Sequence, residues 1–220
     1  MSKPRRKIST SKSLPTRRHH VPLEPLPSHQ EHKSQAPARI GCMVITCSDT
    51  RTQETDTSGW LVRKTLEAAG HEVVAYHLVK DEPKLITGLI QKAVRNKKIQ
   101  AVLINGGTGI SRRDSTFEAV DALLEKRLVG FGEIFRYLTY QEIGSPAIMS
   151  RATAGLYKGR MIISTPGSQG AVRLAMDKLI LPELGHMLRE SATEHAPAIS
   201  LLGSAASPQT AKRSGSRQGP

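Results

Sequence analysis

Cysteine is scarce in this chain of 220 residues: Cys42 and Cys47 are the whole supply. Both fall in one apolar run of strand length, five positions apart, and side chains at odd spacing point to opposite faces of a strand. The thiols cannot pair while that strand is intact, which excludes a disulfide framework and fits a reducing compartment. Long apolar runs are missing as well. None approaches the roughly 18–20 residues that span a bilayer. The basic N-terminus has no apolar h-region, so it does not read as a secretory signal. Its Arg and Ser content is compatible with a transit peptide, but Pro4, Pro15, Pro22 and Pro25 would break any amphipathic helix there. The expectation is a cytoplasmic protein with no membrane contact. Residues 1–36 contain no Phe, Trp or Tyr, so the arm lacks stacking platforms for bases. No nucleic-acid role is therefore expected. There is no internal repeat.

Positive charge is plentiful but unevenly placed. The chain carries a formal +13. Residues 1–36 hold eight Lys/Arg against two acids, and 191–220 hold three against one, which leaves about +5 for residues 37–190. The basic character is largely a property of the ends. Residues 1–36, rich in Lys, Arg, Ser, Pro and His, read as a disordered basic arm, and 191–220 as a disordered tail. His19, His20, His29 and His32 suggest a metal site only superficially, because nothing positions them.

Between the tails the pattern is regular. Ile40 to Cys47 is an apolar strand long enough to be buried on both faces. A polar loop, Ser48 to Gly59, follows it. Leu61, Val62, Leu66 and Ala69 recur at helical spacing, with Gly70 as the stop. Val73 to Val79 reads as a second strand with His77 on a sheet face. Asp81-Glu-Pro83 opens a helix bearing Leu85, Ile86, Leu89, Ile90, Ala93 and Val94. A third strand, Ala101 to Ile104, runs into Asn105 and the glycines Gly106, Gly107 and Gly109. Ser115-Thr-Phe-Glu118 matches a capping box. Further on come a helix from Gly130 to about Glu142, an extended piece over Pro146 to Met149, and a last buried strand, Arg160 to Ser164. Thr165-Pro-Gly-Ser168 caps a long helix that Pro182 kinks or restarts. Strands alternating with helices imply an α/β fold with a mostly parallel sheet covered on both sides. In such sheets the ligand sits at the carboxyl ends of the strands. Three polar loops converge there: Ser48 to Gly59, Asp81, and Gly106 to Ser115.

The glycine loop is not a P-loop, because no Gly-Lys-Ser/Thr follows, and it lacks the third glycine of a dinucleotide fingerprint. Pro166-Gly-Ser168 repeats the strand–loop–helix arrangement, but Pro166 occupies the place where a nucleophile elbow needs glycine. A serine hydrolase is set aside. What remains is either a tight strand-to-helix connection or an anion site built from loop N–H groups, and the second loop of the same kind favours the anion site, with a phosphorylated ligand. Asp81 and Asp114 both stand at strand-to-helix junctions. Either they cap helices, or they form a carboxylate pair that holds Mg²⁺ beside phosphate oxygens. Arg112 and Arg113 could neutralise phosphate, and Arg151 could do the same or form a surface ion pair of little worth.

A set of motifs then occurs in order: Thr46-Cys-Ser-Asp-Thr-Arg-Thr, Asp56-Thr-Ser-Gly, Gly106-Gly-Thr-Gly with Arg113-Asp-Ser-Thr-x-Glu-Ala119, Gly130-Phe-Gly-Glu-x-Phe-Arg136, Ser150-Arg-Ala-x-Ala-Gly155 and Pro166-Gly-Ser168. In these the chain resembles the molybdenum cofactor biosynthesis protein B group of the MoaB/MogA-like (molybdopterin adenylyltransferase-like) family, over about residues 39–190. The resemblance implies a three-layer α/β/α sandwich with a mainly parallel sheet, with 37–190 as the molybdopterin-binding domain. It also implies a homotrimer or homohexamer, with other cofactor-assembly proteins as further partners. Active members use Mg²⁺ and ATP to transfer AMP onto the terminal phosphate of molybdopterin, releasing pyrophosphate. Carried over by motif, Asp81 and Asp114 are the expected catalytic and Mg²⁺-holding residues. Ser48, Asp49, Gly106, Gly107, Thr108, Gly109, Arg113, Pro166, Gly167 and Ser168 are the expected substrate-binding ones. A non-catalytic pterin-binding or assembly protein of the same fold is the alternative. Phe117 departs from the pattern, which usually has proline there. That change should alter loop rigidity and leave the carboxylate in place.

Overall fold

The computed structural model describes residues 37–193. The basic arm with its four histidines, and the chain from 194 onward, lie outside the described residues.

Six strands form one sheet: β1 (Gly41–Cys47), β2 (Glu72–Val79), β3 (Ala101–Asn105), β4 (Lys126–Arg127), β5 (Thr153–Tyr157) and β6 (Arg160–Thr165). Their spatial order is β2-β1-β3-β6-β5-β4. The pairs β1–β2, β1–β3 and β3–β6 are parallel, while β5 runs antiparallel to both β6 and β4. The helices are α1 (Thr57–Ala68), α2 (Pro83–Arg95), α3 (Thr116–Asp121), α4 (Val129–Ile143), α5 (Gln169–Ala175) and α6 (Leu181–Thr193).

Alternation along the strands divides the core in two. Cys42 and Val44 of β1 join Val62 and Leu66 of α1, Phe135 of α4, Val172 of α5 and Leu184 of α6 on one face. Met43, Ile45 and Cys47 join Ile86, Leu89, Ile90 and Ala93 of α2 and Val120 of α3 on the other. The sheet is thus the middle of three layers, as the resemblance implies. Cys42 and Cys47 fall on opposite faces and both are free and buried. Burial pushes both thiols up to about 12, because a thiolate there would lose its hydration.

Three local readings need correction, and one at Pro182 holds. Pro146–Met149 is not extended: Ser145–Met149 is a 3₁₀ turn with proline in its first turn, where its missing N–H costs nothing. The antiparallel pair β4–β5 is an addition, and β4 is only two residues of exposed Lys126 and Arg127. At Pro182 the expected interruption of the long helix is present, and α6 begins at Leu181. Met176–Ile180 form a π turn in which Leu181 N–H reaches back to Met176 O, and this absorbs the proline before α6 continues. Finally, Ser115 occupies the N-cap position of α3, yet its side chain makes no cap hydrogen bond. The Ser115 hydroxyl donates to Asp81, and Glu118 pairs with Arg151. Bonds to a charged partner outcompete the neutral capping box.

Candidate active site

The carboxyl ends of β1, β3 and β6 are adjacent, so the loops that follow them meet. Together they line a cleft of about 510 Å³, within the range of small-ligand sites. Its walls include Ser48 and Arg51 from the first loop, Gly106 to Gly109 and Asp114 from the second, and Pro166 to Ser168 from the third. Met149 and Ser150 close a fourth side. The second and third loops touch backbone to backbone. Gly106 N–H donates to Thr165 O (3.0 Å), and a Cβ on Gly167 would lie 2.9 Å from Gly106 Cα. Gly107, at φ +61, has no room for a side chain either: a Cβ there would sit 2.2 Å from both Asp81 Oδ2 and Thr116 Oγ1.

Among the described residues, the N–H groups of Gly107, Thr108, Gly109 and Ile110 make no hydrogen bond to a protein acceptor. Three of these donors belong to residues that line the cleft, Gly107, Thr108 and Gly109, and successive loop N–H groups of this kind suit an anion. At the third loop Ser168 caps α5, its hydroxyl accepting from Ala171 N–H (3.3 Å), as the sequence suggests.

Comparison with known proteins fits this geometry. Residues 43–186 match the family model described as a probable molybdopterin binding domain. The molybdenum cofactor biosynthesis protein B of Bacillus subtilis is 56% identical over 164 residues, covering 74% of this chain and 96% of that protein. Its counterpart in Halalkalibacterium halodurans is 53% identical with the same coverage. A crystal structure of a molybdenum cofactor biosynthesis protein B, 51% identical, superimposes with a TM-score of 0.70 over 72% of this chain and 99% of that one. The chain belongs to the molybdenum cofactor biosynthesis protein B family. Its broad role is therefore in molybdenum cofactor biosynthesis, and its MoaB/MogA-like fold is the one the motifs imply.

Within this family member the two carboxylates do different things. Asp114 lines the cleft, and its Oδ2 accepts from Ser111 N–H at 3.0 Å. Asp81 does not line the cleft. It is 5% exposed, and its Oδ1 accepts from the Ser115 hydroxyl (3.0 Å), the Thr116 hydroxyl (2.9 Å) and Ser115 N–H (3.3 Å). Neither is the N-cap of the helix it precedes in sequence. Glu82 holds that position for α2, without a side-chain bond, and Ser115 holds it for α3. Asp81 instead secures the start of α3 from 34 residues away.

Asp49 and Arg113 are also placed apart from the cleft wall. They pair with each other through two bonds, Arg113 Nε to Oδ2 at 2.6 Å and Nη2 to Oδ1 at 2.9 Å. The Arg113 guanidinium holds the Asp49 carboxyl below the usual carboxylate range. Asp49 Oδ1 also accepts from Asp81 N–H (3.3 Å). This clamp joins the first loop to the second. Ser48 does line the cleft, and its hydroxyl accepts from Arg51 N–H at 3.2 Å.

Several residues matter that the motif reading passed over. Arg51 lines the cleft, donating to Gly167 O (2.9 Å) and to Asp56 Oδ1 (3.2 Å). Ser58 donates to the same Gly167 carbonyl at 2.7 Å. Asp56 is a buried hub: it caps α1 through Gly59 N–H (2.9 Å) and accepts from the Tyr76 hydroxyl at 2.6 Å. Burial alone would raise its pKa, but bonds from Thr46, Tyr76 and Gly59 outweigh burial and hold it below its ordinary value. The Asp-Thr-Ser-Gly motif contained this signal, since an Asp three residues before a glycine N–H is a capping geometry.

Mg²⁺ is compatible with this donor set through one residue. Among the described residues no group of three or more His, Cys, Asp or Glu side chains forms a metal cage. Mg²⁺ needs none, being held by one or two carboxylates with substrate phosphates and water. Asp114 offers such a carboxylate on the cleft wall. Asp81, committed to three donors, does not. No helix among the described residues is long and apolar enough to cross a membrane.

Proposed function

We propose that the protein adenylylates molybdopterin in the cytoplasm, taking AMP from ATP with Mg²⁺. The observation that carries this reading is the meeting, at the strand ends, of a glycine loop whose Gly107, Thr108 and Gly109 N–H groups have no protein acceptor with a cleft-lining carboxylate, Asp114. The first set suits a phosphate monoester, and the second suits a metal-bound polyphosphate. An oxygen of the pterin's terminal phosphate attacks the α-phosphorus of ATP. A P–O bond forms there, the bond to the bridging oxygen breaks, and pyrophosphate leaves. Such a transfer between anions needs positioning and charge screening and no covalent intermediate on the protein.

The Gly107–Ile110 amides, with the hydroxyls of Ser48 and Ser168, hold the pterin phosphate. Arg51 fixes the Pro166–Ser168 loop through Gly167 O and adds positive potential. Asp114 would hold Mg²⁺, whose charge would screen the polyphosphate and its leaving group. Asp81 acts through α3. The exposed apolar side chains of Val129, Tyr137, Tyr140 and Ile143 on α4, with Ile148 and Met149 beside them, provide a face for the homotrimer or homohexamer. They suit docking of another cofactor-assembly protein less well, since that partner would have to displace a subunit.

The test is direct. Purified protein, molybdopterin, ATP and Mg²⁺ should release pyrophosphate and yield adenylylated pterin. Asp114→Asn should lower kcat about a hundredfold, a loss of ~2.7 kcal/mol of transition-state stabilisation, with the protein still folded. Pterin binding without turnover in the parent protein would establish the second reading, a binding or assembly protein. That reading draws on the same finding that only one of the two carboxylates faces the cleft.

A further inference from the structure

Arg151 lies in the segment between the 3₁₀ turn and β5, more than forty residues from the glycine loop, yet its guanidinium is committed to that loop. Nε donates to Thr108 O at 2.8 Å, and Nη2 donates to Gly109 O. Nη1 meets the Glu118 carboxylate on α3, and the guanidinium carbon stands 4.7 Å from the centroid of the Phe117 ring. The side chain is three-quarters buried, while Glu118 is mostly exposed. A surface ion pair does not describe this arrangement, because the two backbone carbonyls are the buried partners.

We infer that Arg151 is the positioning residue of the anion loop, with Phe117 holding its guanidinium in place. The reasoning follows from peptide geometry. A trans peptide is planar, with its C=O and N–H directed oppositely. Holding Thr108 O fixes the plane that carries Gly109 N–H, and holding Gly109 O fixes the plane that carries Ile110 N–H. Both amides are thereby turned away from Arg151, which is not a cleft-lining residue; Gly109 lines the cleft and Ile110 follows it at the exposed edge. Both are among the four that have no protein acceptor. The fork of the guanidinium suits two successive carbonyls in a way that a single ammonium cannot match. Because Met149 and Ser150 are themselves cleft wall, the same side chain also ties that wall to the glycine loop. The Phe117 ring restricts the guanidinium from one side, an aromatic–cation contact. Arg151 itself touches no substrate.

The inference rests on the proposed role of the loop as phosphate holder, and its test keeps the two apart. Titration of the ¹⁵N-labelled full chain with inorganic phosphate reports the Gly109 and Ile110 amides whether or not turnover occurs. In the parent protein both resonances should shift with phosphate. In Arg151→Lys the apparent phosphate Kd read from them should rise on the order of tenfold, because misplaced donors lose much of their effect. In kinetics the same variant should raise KM for molybdopterin by a similar factor and leave KM for ATP within twofold. Phe117→Leu should give a smaller rise, about threefold, and Glu118→Gln less than twofold. Thermal melts establish that each variant is folded. Should Arg151→Ala not fold, the lysine variant still decides. Unchanged phosphate response and unchanged pterin KM in Arg151→Lys would overturn the inference. A parent protein that binds phosphate at these amides but makes no pyrophosphate would instead overturn the enzymatic reading and leave the positioning role standing.

Discussion

Truncating Asp81 should cost fold stability, and truncating Asp114 should not. Asp81→Ala strands the Ser115 N–H and the hydroxyls of Ser115 and Thr116, of which Thr116 is fully buried. The Ser115 hydroxyl can rotate toward another acceptor. The other two donors each cost about 1–3 kcal/mol when left without one. Removing the carboxylate recovers part of its own desolvation cost, so the net loss is about 2–4 kcal/mol. For a domain of this size each kcal/mol lowers Tm by about 2–4 °C, which places the drop at roughly 5–15 °C. Asp114→Ala removes the acceptor of one exposed donor, the Ser111 N–H, and should shift Tm by less than ~3 °C. Calorimetry or circular dichroism melts of both variants, with Asp81→Asn as an intermediate, make the comparison. Equal losses, or an Asp81→Ala shift under ~2 °C, would refute the assignment of Asp81 to the scaffold. The consequence for activity measurements is specific. A dead Asp81 variant is no evidence of metal ligation unless its fold has first been shown intact.

The other expectations concern ionisation. Asp56 has a folded pKa below its ordinary value, so its contribution to stability is fully present above the unfolded carboxylate value and is lost as pH falls through the folded one. Urea midpoints should therefore decline below about pH 4, and Asp56→Asn should flatten that limb while lowering the plateau. Cys42 and Cys47, buried with thiols pushed up to about 12, should resist a disulfide-exchange reagent in the native protein at pH 8. Both should react once the chain is unfolded in guanidinium. Rapid native labelling of Cys47, which borders the cleft, would mean that the loops open far more than their contacts suggest.

How much of this was readable in advance depends on the range of the interaction that fixes each feature. The parallel strands β1, β3 and β6 announce themselves as continuous apolar runs, and α2 as a stripe of Ile86, Leu89, Ile90 and Ala93, because burial on both sheet faces or on one helix face is written locally. The pair β4–β5 is not, since Lys126 and Arg127 are polar, exposed and only two residues long. Ser115-x-x-Glu118 has the form of a capping box, but Asp81 and Arg151, each more than thirty residues away, bind its two side chains more strongly. The rule for parallel sheets brings Ser48 to Gly59 and Gly106 to Ser115 together as expected, but the third loop on the cleft is Pro166 to Ser168 and not the one at Asp81. That Asp49 and Arg113 would satisfy each other, and that Asp81 would turn from the cleft to α3, depended on tertiary distances which no spacing encodes.

The glycines of the loop take on a different meaning when those distances are known. Read along the chain, Gly106-Gly-Thr-Gly109 suggests room for a ligand to approach backbone. In the structure each glycine makes room for a protein atom. A Cβ would strike Cys47 O at Gly106, Asp81 Oδ2 at Gly107 and Asp114 Oδ2 at Gly109, all within 2.5 Å. Two of the three clashes are with carboxylates. The loop and the acids are therefore one packing unit: the glycines let Asp81 and Asp114 come against the backbone, and the acids in turn fix the turn and the helix start that follow. Neither half should work if moved alone. Alanine at Gly107 would displace Asp81 from Thr116 at a φ of +61 that alanine itself disfavours. Its effect on the cleft would therefore pass through α3 and not through any contact with the ligand.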